Sequence, residues 1–354
     1  MSDRKKVIEG VIWGTAVGDS LGLPAEGVKP VAIEKLGWRG NWKHRFIFGK
    51  GMLSDDTEHT LMVAEALSRH SNDVDAFRRY LASRMRMWFL ALPAGIGMAT
   101  ARSLIKLCIG VSSKKSGVCS AGNGPAMRSA IIGAYFTDQP ENIESFVEAS
   151  THLTHTDPKA LVGALAIAYC AAHANSPDIA FEKLKALSRH DSETWPEVTD
   201  QIQASLDGNE SIAAFYAHFA DPERGVSGYI YHTVPIALYA WLKSHKHNEA
   251  FDVALTSVLD MGGDTDTTGA IAGSILGASH GEDRFPKEWI FNIRDWPRSK
   301  GYLAHACDFL ENGEKVKGIP ILFALIRNLV FLIIVLLHGF SRLLPVQLRK
   351  TLLK

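Results

Sequence analysis

Gly10-Val11-Ile12-Trp13-Gly14-Thr15-Ala16-Val17-Gly18-Asp19-Ser20-Leu21-Gly22 sets a glycine at every fourth position of a largely apolar run. On an α-helix that spacing lines one face with residues that lack a side chain, so another backbone can come close. The pattern returns at Gly269, Gly273 and Gly277, while Ala160, Gly163, Ala164 and Ala168 form a third small-residue surface. Three such helices predict a tightly packed central bundle. The same spacing is used by membrane dimers, but Asp, Ser, Thr and His punctuate the ends of these segments, which favours core packing. Outward from them, residues 1–310 alternate helix-like apolar runs with short polar or Gly/Pro breaks and show little period-two alternation. The body therefore reads as all-α.

With 354 residues and 46% hydrophobic content, the chain can bury one large or two ordinary domains. Lys plus Arg equals Asp plus Glu at 38 each, so no global field draws the chain to nucleic acid, and sequence-specific nucleic-acid binding is not expected. Cys108, Cys119, Cys170 and Cys307 are scattered without a CxxC pair, which reads as reduced thiols in a cytoplasmic body rather than a zinc site. No secretory signal precedes Gly10. The C-terminus differs: residues 319–337 are apolar except for Arg327 and Asn328, about the length that spans a hydrocarbon core. Basic residues on both flanks leave the orientation open. An anchor is the leading reading, with an interfacial hairpin or a helix buried in a protein interface as alternatives, and the charged run at 311–318 is the linker. The expected division is a catalytic domain at 1–312, then a linker and hydrophobic membrane-associated segment at 313–354. Residues 319–340 would attach the body to the inner face of a membrane.

Five segments carry candidate chemistry. Ser54-Asp55-Asp56-Thr57-Glu58 opens an apolar helical run. Asp55 and Glu58 have capping-box spacing, yet a cap needs one carboxylate, and two adjacent ones beside a hydroxyl suit a hard cation such as Mg²⁺ or Mn²⁺. Gly262-Gly263-Asp264-Thr265-Asp266-Thr267-Thr268 opens the later small-residue helix, where Asp264, Asp266 and Thr267 can aim oxygens at one point. Two Asp-rich helix starts supply enough oxygens for a pair of octahedral cations with several waters. Ser120-Ala121-Gly122-Asn123-Gly124-Pro125 is a glycine-rich turn leading into a helix near Ala126 or Met127, suited to a phosphate or pyrophosphate. In Thr151-His152-Leu153-Thr154-His155-Thr156-Asp157-Pro158, His155 is placed to hydrogen-bond a ligand and Asp157 to cap the next helix. In Gly18-Asp19-Ser20-Leu21-Gly22-Leu23-Pro24-Ala25-Glu26, carboxylates punctuate an apolar end of helix; a carboxylate in such surroundings is costly unless paired or used, so Glu26 is a candidate general base or movable metal ligand.

In order and approximate spacing these segments resemble the ADP-ribosylglycohydrolase family, the relatives of dinitrogenase reductase-activating glycohydrolase, over roughly residues 8–280. The resemblance implies an orthogonal all-α bundle holding two Mg²⁺ or Mn²⁺ ions. It implies Ser54, Asp55, Asp56, Asp264, Asp266 and Thr267 as metal ligands, Ser120, Gly122 and Asn123 at the diphosphate, and His155 at the ADP-ribose. Glu26 matches a glutamate implicated in catalysis in one branch, and Asp55 and Asp56 complete the expected catalytic set. Ser120 stands where the arginine-directed branch is expected to carry Asp, which weakens ADP-ribosyl-arginine as the substrate; Ser54 replaces a common Thr and keeps its hydroxyl. The implied activity is metal-dependent hydrolysis of the N- or O-glycosidic bond between ADP-ribose and a modified protein or related derivative. Two rivals are a metal-dependent phosphohydrolase, for which Arg189-His190-Asp191 offers only a lone His-Asp pair, and a non-catalytic, membrane-tethered ADP-ribose-binding protein. Trp13, Trp42, Trp88, Trp241 and Tyr229 are expected in the core or at a rim.

Overall fold

The computed structural model describes residues 3–341. Seven helices position the site and the tail: α1 (Asp3–Gly22), α2 (Asp55–His70), α3 (Val74–Leu90), α4 (Pro158–Ala172), α5 (Ile230–His247), α6 (Thr265–His280) and α7 (Ile321–Ser341). Shorter helices and single 3₁₀ turns connect them, and β pairing among the described residues is confined to isolated bridges. The all-α reading holds.

The centre of the bundle is the pair α1 and α6, packed backbone to backbone. A Cβ added at Gly10, Gly14 or Gly18 would fall on the carbonyl oxygen of Gly277, Gly273 or Gly269, and one at Gly22 on that of Thr265. The pairing is antiparallel and brings the C-terminal end of α1 beside the Asp-rich start of α6. Side chains are excluded from the contact, so dispersion between two backbones replaces the usual knob packing. The third small-residue surface packs as expected: Gly133 meets the Ala168 carbonyl of α4, and Gly163 leaves room for Ile230 and Val234 of α5. Trp13, Trp42, Trp88 and Trp241 are buried.

After α6 the chain crosses the outside of α2 and α3. The charged run read as a linker is pinned there: Val316 is buried, Arg69 donates to its carbonyl at 2.6 Å, and Arg84 donates to the Ile319 carbonyl at 2.9 Å. Then α7 docks along the body. Its inward positions, Ala324, Arg327, Asn328, Phe331 and His338, recur every three or four residues and are buried. Arg327 pairs with Asp295 and lies 3.6 Å from Glu58, while its guanidinium also caps the Leu53 carbonyl. The Asn328 amide donates to the Ala91 carbonyl at 2.8 Å, and His338 Nε2 lies 3.0 Å from the Pro24 carbonyl. The two polar interruptions of the apolar run are therefore its attachment points to the body.

Candidate active site

The two Asp-rich segments lie at the same end of the bundle because the glycine seam places them there. Ser54 is the N-cap of α2, its hydroxyl accepting from the Asp56 N–H. Thus Ser54, and not Asp55, caps the helix, a correction to the capping-box reading. The Ser54 hydroxyl also donates to Asp56 Oδ2 at 2.9 Å. At the start of α6, Gly262 and Gly263 adopt φ of 65° and 80°, and a side chain at either would strike the backbone of Val28 or Val226. That tight turn delivers Asp264 as the helix cap and Asp266 and Thr267 into the first turn. The Thr267 hydroxyl reaches Asp56 Oδ2 at 3.4 Å and joins the two helix starts.

Asp55, Asp264, Asp266, Thr267 and Glu26 line one cleft of about 610 Å³ together with Ser120, Gly122, Asn123 and His155. That volume lies within the range of small-molecule sites. Burial first, and then the neighbouring carboxylates, push Asp55, Asp56 and Asp266 well above the ordinary carboxylate range: Glu58, Asp19 and Glu26 act on Asp55, Asp55, Asp19 and Asp264 on Asp56, and Glu26, Asp264, Asp56 and Asp19 on Asp266. Like charges so gathered are unfavourable unless protons or cations sit among them. Asp56 Oδ1 and Asp266 Oδ1 are buried without a hydrogen-bond donor. Orphaned anionic oxygens at the starts of two different helices, with hydroxyls alongside, fit a hard divalent cation. Among the described residues no three Asp, Glu, His or Cys side chains close into a complete ligand set on their own.

Three side chains differ from their sequence reading. Glu26 is exposed at the rim and not enclosed in apolar surroundings, because the chain turns outward after the 3₁₀ turn Leu23–Ala25. Asp19 is the enclosed carboxylate. It accepts from the Ser54 and Thr57 N–H groups and from the Thr57 hydroxyl, at 2.9, 3.3 and 2.5 Å, and burial pushes its carboxyl up to about 6. Its work is to seat the first turn of α2 on the end of α1. Glu58 faces away from the cleft, buried among Trp88, Arg298 and Arg327. Asp295 and Arg298, absent from the sequence reading, complete that ion cluster; no local motif marks them, since their partners lie far along the chain.

The glycine-rich turn forms the other wall. It enters a 3₁₀ turn, Ala126–Arg128, followed after Ser129 by the α-helix Ala130–Tyr135, so the helix it leads into starts a few residues later than expected. The Asn123 amide donates to Asp264 Oδ2 at 2.7 Å, tying this wall to the carboxylates. His155 lies beneath the turn: a Cβ at Gly122 or Gly124 would come within 3.1 or 3.2 Å of its ring. Its Nδ1 meets the Thr154 hydroxyl at 2.8 Å, and burial, with the buried Arg128 guanidinium nearby, holds its pKa down to about 3. A neutral imidazole with its other nitrogen toward the cleft wall is a hydrogen-bonding group at neutral pH. Tyr229 is half-buried near the cleft, bridging backbone to Gly122. Arg189-His190-Asp191 lies elsewhere, with Arg189 and His190 paired to Glu144 and Asp191 capping a turn and accepting from Tyr231.

The chain is similar over most of its length to several known proteins. An uncharacterised protein of Archaeoglobus fulgidus is 28% identical over 80% of this chain and 90% of its own length. The ADP-ribosyl-dinitrogen reductase glycohydrolase of Rhodospirillum rubrum is 25% identical over 80% of this chain and 89% of its own. A solved structure described as an ADP-ribosylglycohydrolase-related protein complex shares the fold at a TM-score of 0.65 and 22% identity, covering 88% of this chain and 99% of that one. The profile of the ADP-ribosylglycohydrolase family matches residues 1–317, leaving α7 beyond its end, and the chain belongs to that family.

Proposed function

We propose that the protein is a divalent-metal-dependent hydrolase that cleaves the bond between ADP-ribose and a modified target, with residues 1–312 as its catalytic domain. The observation that carries the metal reading is the pair of orphaned oxygens, Asp56 Oδ1 and Asp266 Oδ1, presented by helix starts about two hundred residues apart in the chain. Asp55, Asp56, Asp264 and Asp266, with the hydroxyls of Ser54 and Thr267, would hold two Mg²⁺ or Mn²⁺ ions. When bound, these ions supply Lewis acidity and neutralise the gathered carboxylates.

The chain's own groups do the rest. Glu26, exposed at the rim of the cleft, takes the proton of the attacking water as general base. The turn through Ser120, Gly122 and Asn123 holds the diphosphate, with Asn123 kept in register by Asp264. Neutral His155 hydrogen-bonds the ADP-ribose without adding charge. Departure of the target passes through oxocarbenium-like character at the ribose, as in glycoside hydrolysis generally. Ser120, uncharged where the arginine-directed branch is expected to carry Asp, suits a linkage other than ADP-ribosyl-arginine.

The test is release of ADP-ribose from arginine-, serine- and nucleic-acid-linked substrates with Mg²⁺, with Mn²⁺ and with chelator. Metal-dependent release from one linkage establishes reaction and target. Silence on all of them while ADP-ribose still binds would overturn the hydrolase in favour of a non-catalytic binder.

A further inference from the structure

Helices of water-soluble proteins turn their polar side chains outward and their apolar ones inward. In α7 the order is reversed. Arg327, Asn328 and His338 face the body, bonded to Asp295, Ala91 and Pro24. Leu322, Ile326, Leu329, Ile333, Leu336 and Phe340 face out, each between 45% and 64% exposed. An apolar face this long on a helix already docked through its other face is unpartnered among the described residues.

The body extends that face. Trp296, 51% exposed, packs its ring 5.2 Å from that of Phe323. Leu92 follows the Ala91 carbonyl that Asn328 holds, and Phe48 is two residues beyond Phe46, whose ring meets Phe331 and His338. Both Leu92 and Phe48 adopt φ of 56°, a conformation that costs a side-chain-bearing residue roughly 1–2 kcal/mol, and both are open to solvent, 64% and 93% exposed. Strain at two loop tips that each present a large apolar side chain beside the same helix is the mark of an apolar surface built for use.

Charge identifies the occupant. The 40 residues 315–354 contain seven basic and no acidic residues. Arg327 is committed to Asp295 and Glu58, and the other six flank the helix in sequence on both sides. A protein partner is ordinarily met by a polar rim of both signs, whereas an apolar face between basic flanks complements a surface of anionic headgroups over hydrocarbon. We propose that α7 lies in the plane of an anionic lipid surface, its outward face among the acyl chains and its inward face docked on the body. By length and a mean hydropathy of 2.5 the helix is able to cross a bilayer. Crossing would carry Arg327 into hydrocarbon and strip it from Asp295 and Glu58; lying in plane keeps every one of these contacts. Gly95, Gly97 and Met98 of the cleft rim follow Leu92 within a few residues of chain.

The experiment is flotation of the full-length protein with vesicles of phosphatidylcholine alone or mixed with phosphatidylserine, at low and high salt. Binding to the anionic vesicles, weakened by salt, is expected. Ile333→Glu should lower it by about tenfold or more, with melting temperature unchanged. A peptide tag added after Lys354 should remain open to protease supplied on the side of the body. No flotation with either vesicle overturns the proposal, as does a tag protected inside the lumen, which would mean a spanning helix. So does a dimer that Ile333→Glu disperses without any vesicle binding, since the face would then belong to a second copy of the chain. Vesicle binding is read without turnover, so its failure leaves the hydrolytic reading standing.

Discussion

The seam between α1 and α6 and the docking of α7 both rest on residues that look misplaced in their helices, and they solve opposite problems. In the seam, glycines that weaken an isolated helix by about 1 kcal/mol each relative to alanine let two backbones touch. Nothing protrudes that could shift the register, and Gly18 and Gly22 set the end of α1 against the first turn of α6. In α7 the misplaced residue is charged. Arg327 enters a buried cluster with Asp295 and Glu58 and holds the Leu53 carbonyl, one residue before the Ser54 cap. Asp295 in turn accepts from the Leu53 N–H at 3.1 Å. One contact fixes the site by removing side chains, the other by pairing them. The first lies wholly within the family's matched span; the second joins residues of that span to a helix beyond it.

The sharpest way to break the comparison is to put a side chain in the seam. Gly14→Leu must displace the Gly273 backbone, and with no flexible neighbour to yield, a loss of roughly 4 kcal/mol or more is expected. Little soluble, cooperatively melting protein should remain, whereas Leu329→Ile on the outer face of α7 should melt like the parent.

Next in size is the chemistry that the seam positions. Asp56→Ala or Asp266→Ala should lower turnover by about a thousandfold or more, comparable with losing a principal electrostatic contact in other enzymes. Asp266→Ala should not lower the melting temperature of metal-free protein, since it removes a buried oxygen without a donor, whereas Asp56→Ala also gives up the Oδ2 contacts to Ser54 and Thr267 and should cost a little stability. A variant that keeps its activity would remove that residue from the site; one that merely unfolds would make its role structural.

Arg327→Ala leaves Asp295 and Glu58 facing a gap. Breaking a buried ion cluster by one partner costs about 3–5 kcal/mol, part of it offset here because Arg298 still pairs with Glu58 at 2.7 Å. Because Arg327 also holds Leu53, turnover should fall even under conditions where the variant remains folded. Arg327→Met, which refills the space, should recover stability more than turnover. Equal recovery of both would mean that the contact only holds the tail.

The smallest effect is in pH. His155 has a pKa near 3 when folded and about 6.5 when unfolded, and burial holds His59 well below its ordinary value too. The unfolded chain therefore binds protons that the folded one refuses. Stability present above pH 6.5 is lost as pH falls below it, by about 1 kcal/mol for His155 at pH 5.5. Thermal melts of His155→Gln should be less acid-sensitive than the parent; an identical pH dependence would mean that the imidazole is not held neutral.

Much of the site was legible because its residues come in short runs whose meaning is local. Two Asp-rich helix starts, a glycine-rich turn and a histidine before a helix stand out from composition alone, and the structure brings Glu26, Asp55, Ser120, Gly122, Asn123, His155, Asp264, Asp266 and Thr267 to one cleft. Legibility failed where a side chain's meaning depends on what faces it. Asp19 and Glu26 sit at two ends of one apolar segment, and nothing nearby says that the first is enclosed by Ser54 and Thr57 while the second reaches solvent. Likewise Asp55 and Glu58 are three residues apart on one helix, yet one lines the cleft and the other turns to Arg298 and Arg327.

By itself the sequence determined the helical class, the small-residue faces, the acidic helix starts and an apolar tail, since each is a matter of residue type at a fixed spacing along the chain. Only the tertiary structure decided which carboxylates meet, that Ser54 rather than Asp55 caps α2, and which side of α7 is the inside. The first and the last depend on contacts between residues tens to hundreds of positions apart, while the cap is a local bond from the Asp56 N–H to the Ser54 hydroxyl in a segment seated by distant Asp19. An arginine in an apolar helix is costly in lipid and favourable against two carboxylates, and the partner that settles the matter is not within its own helix.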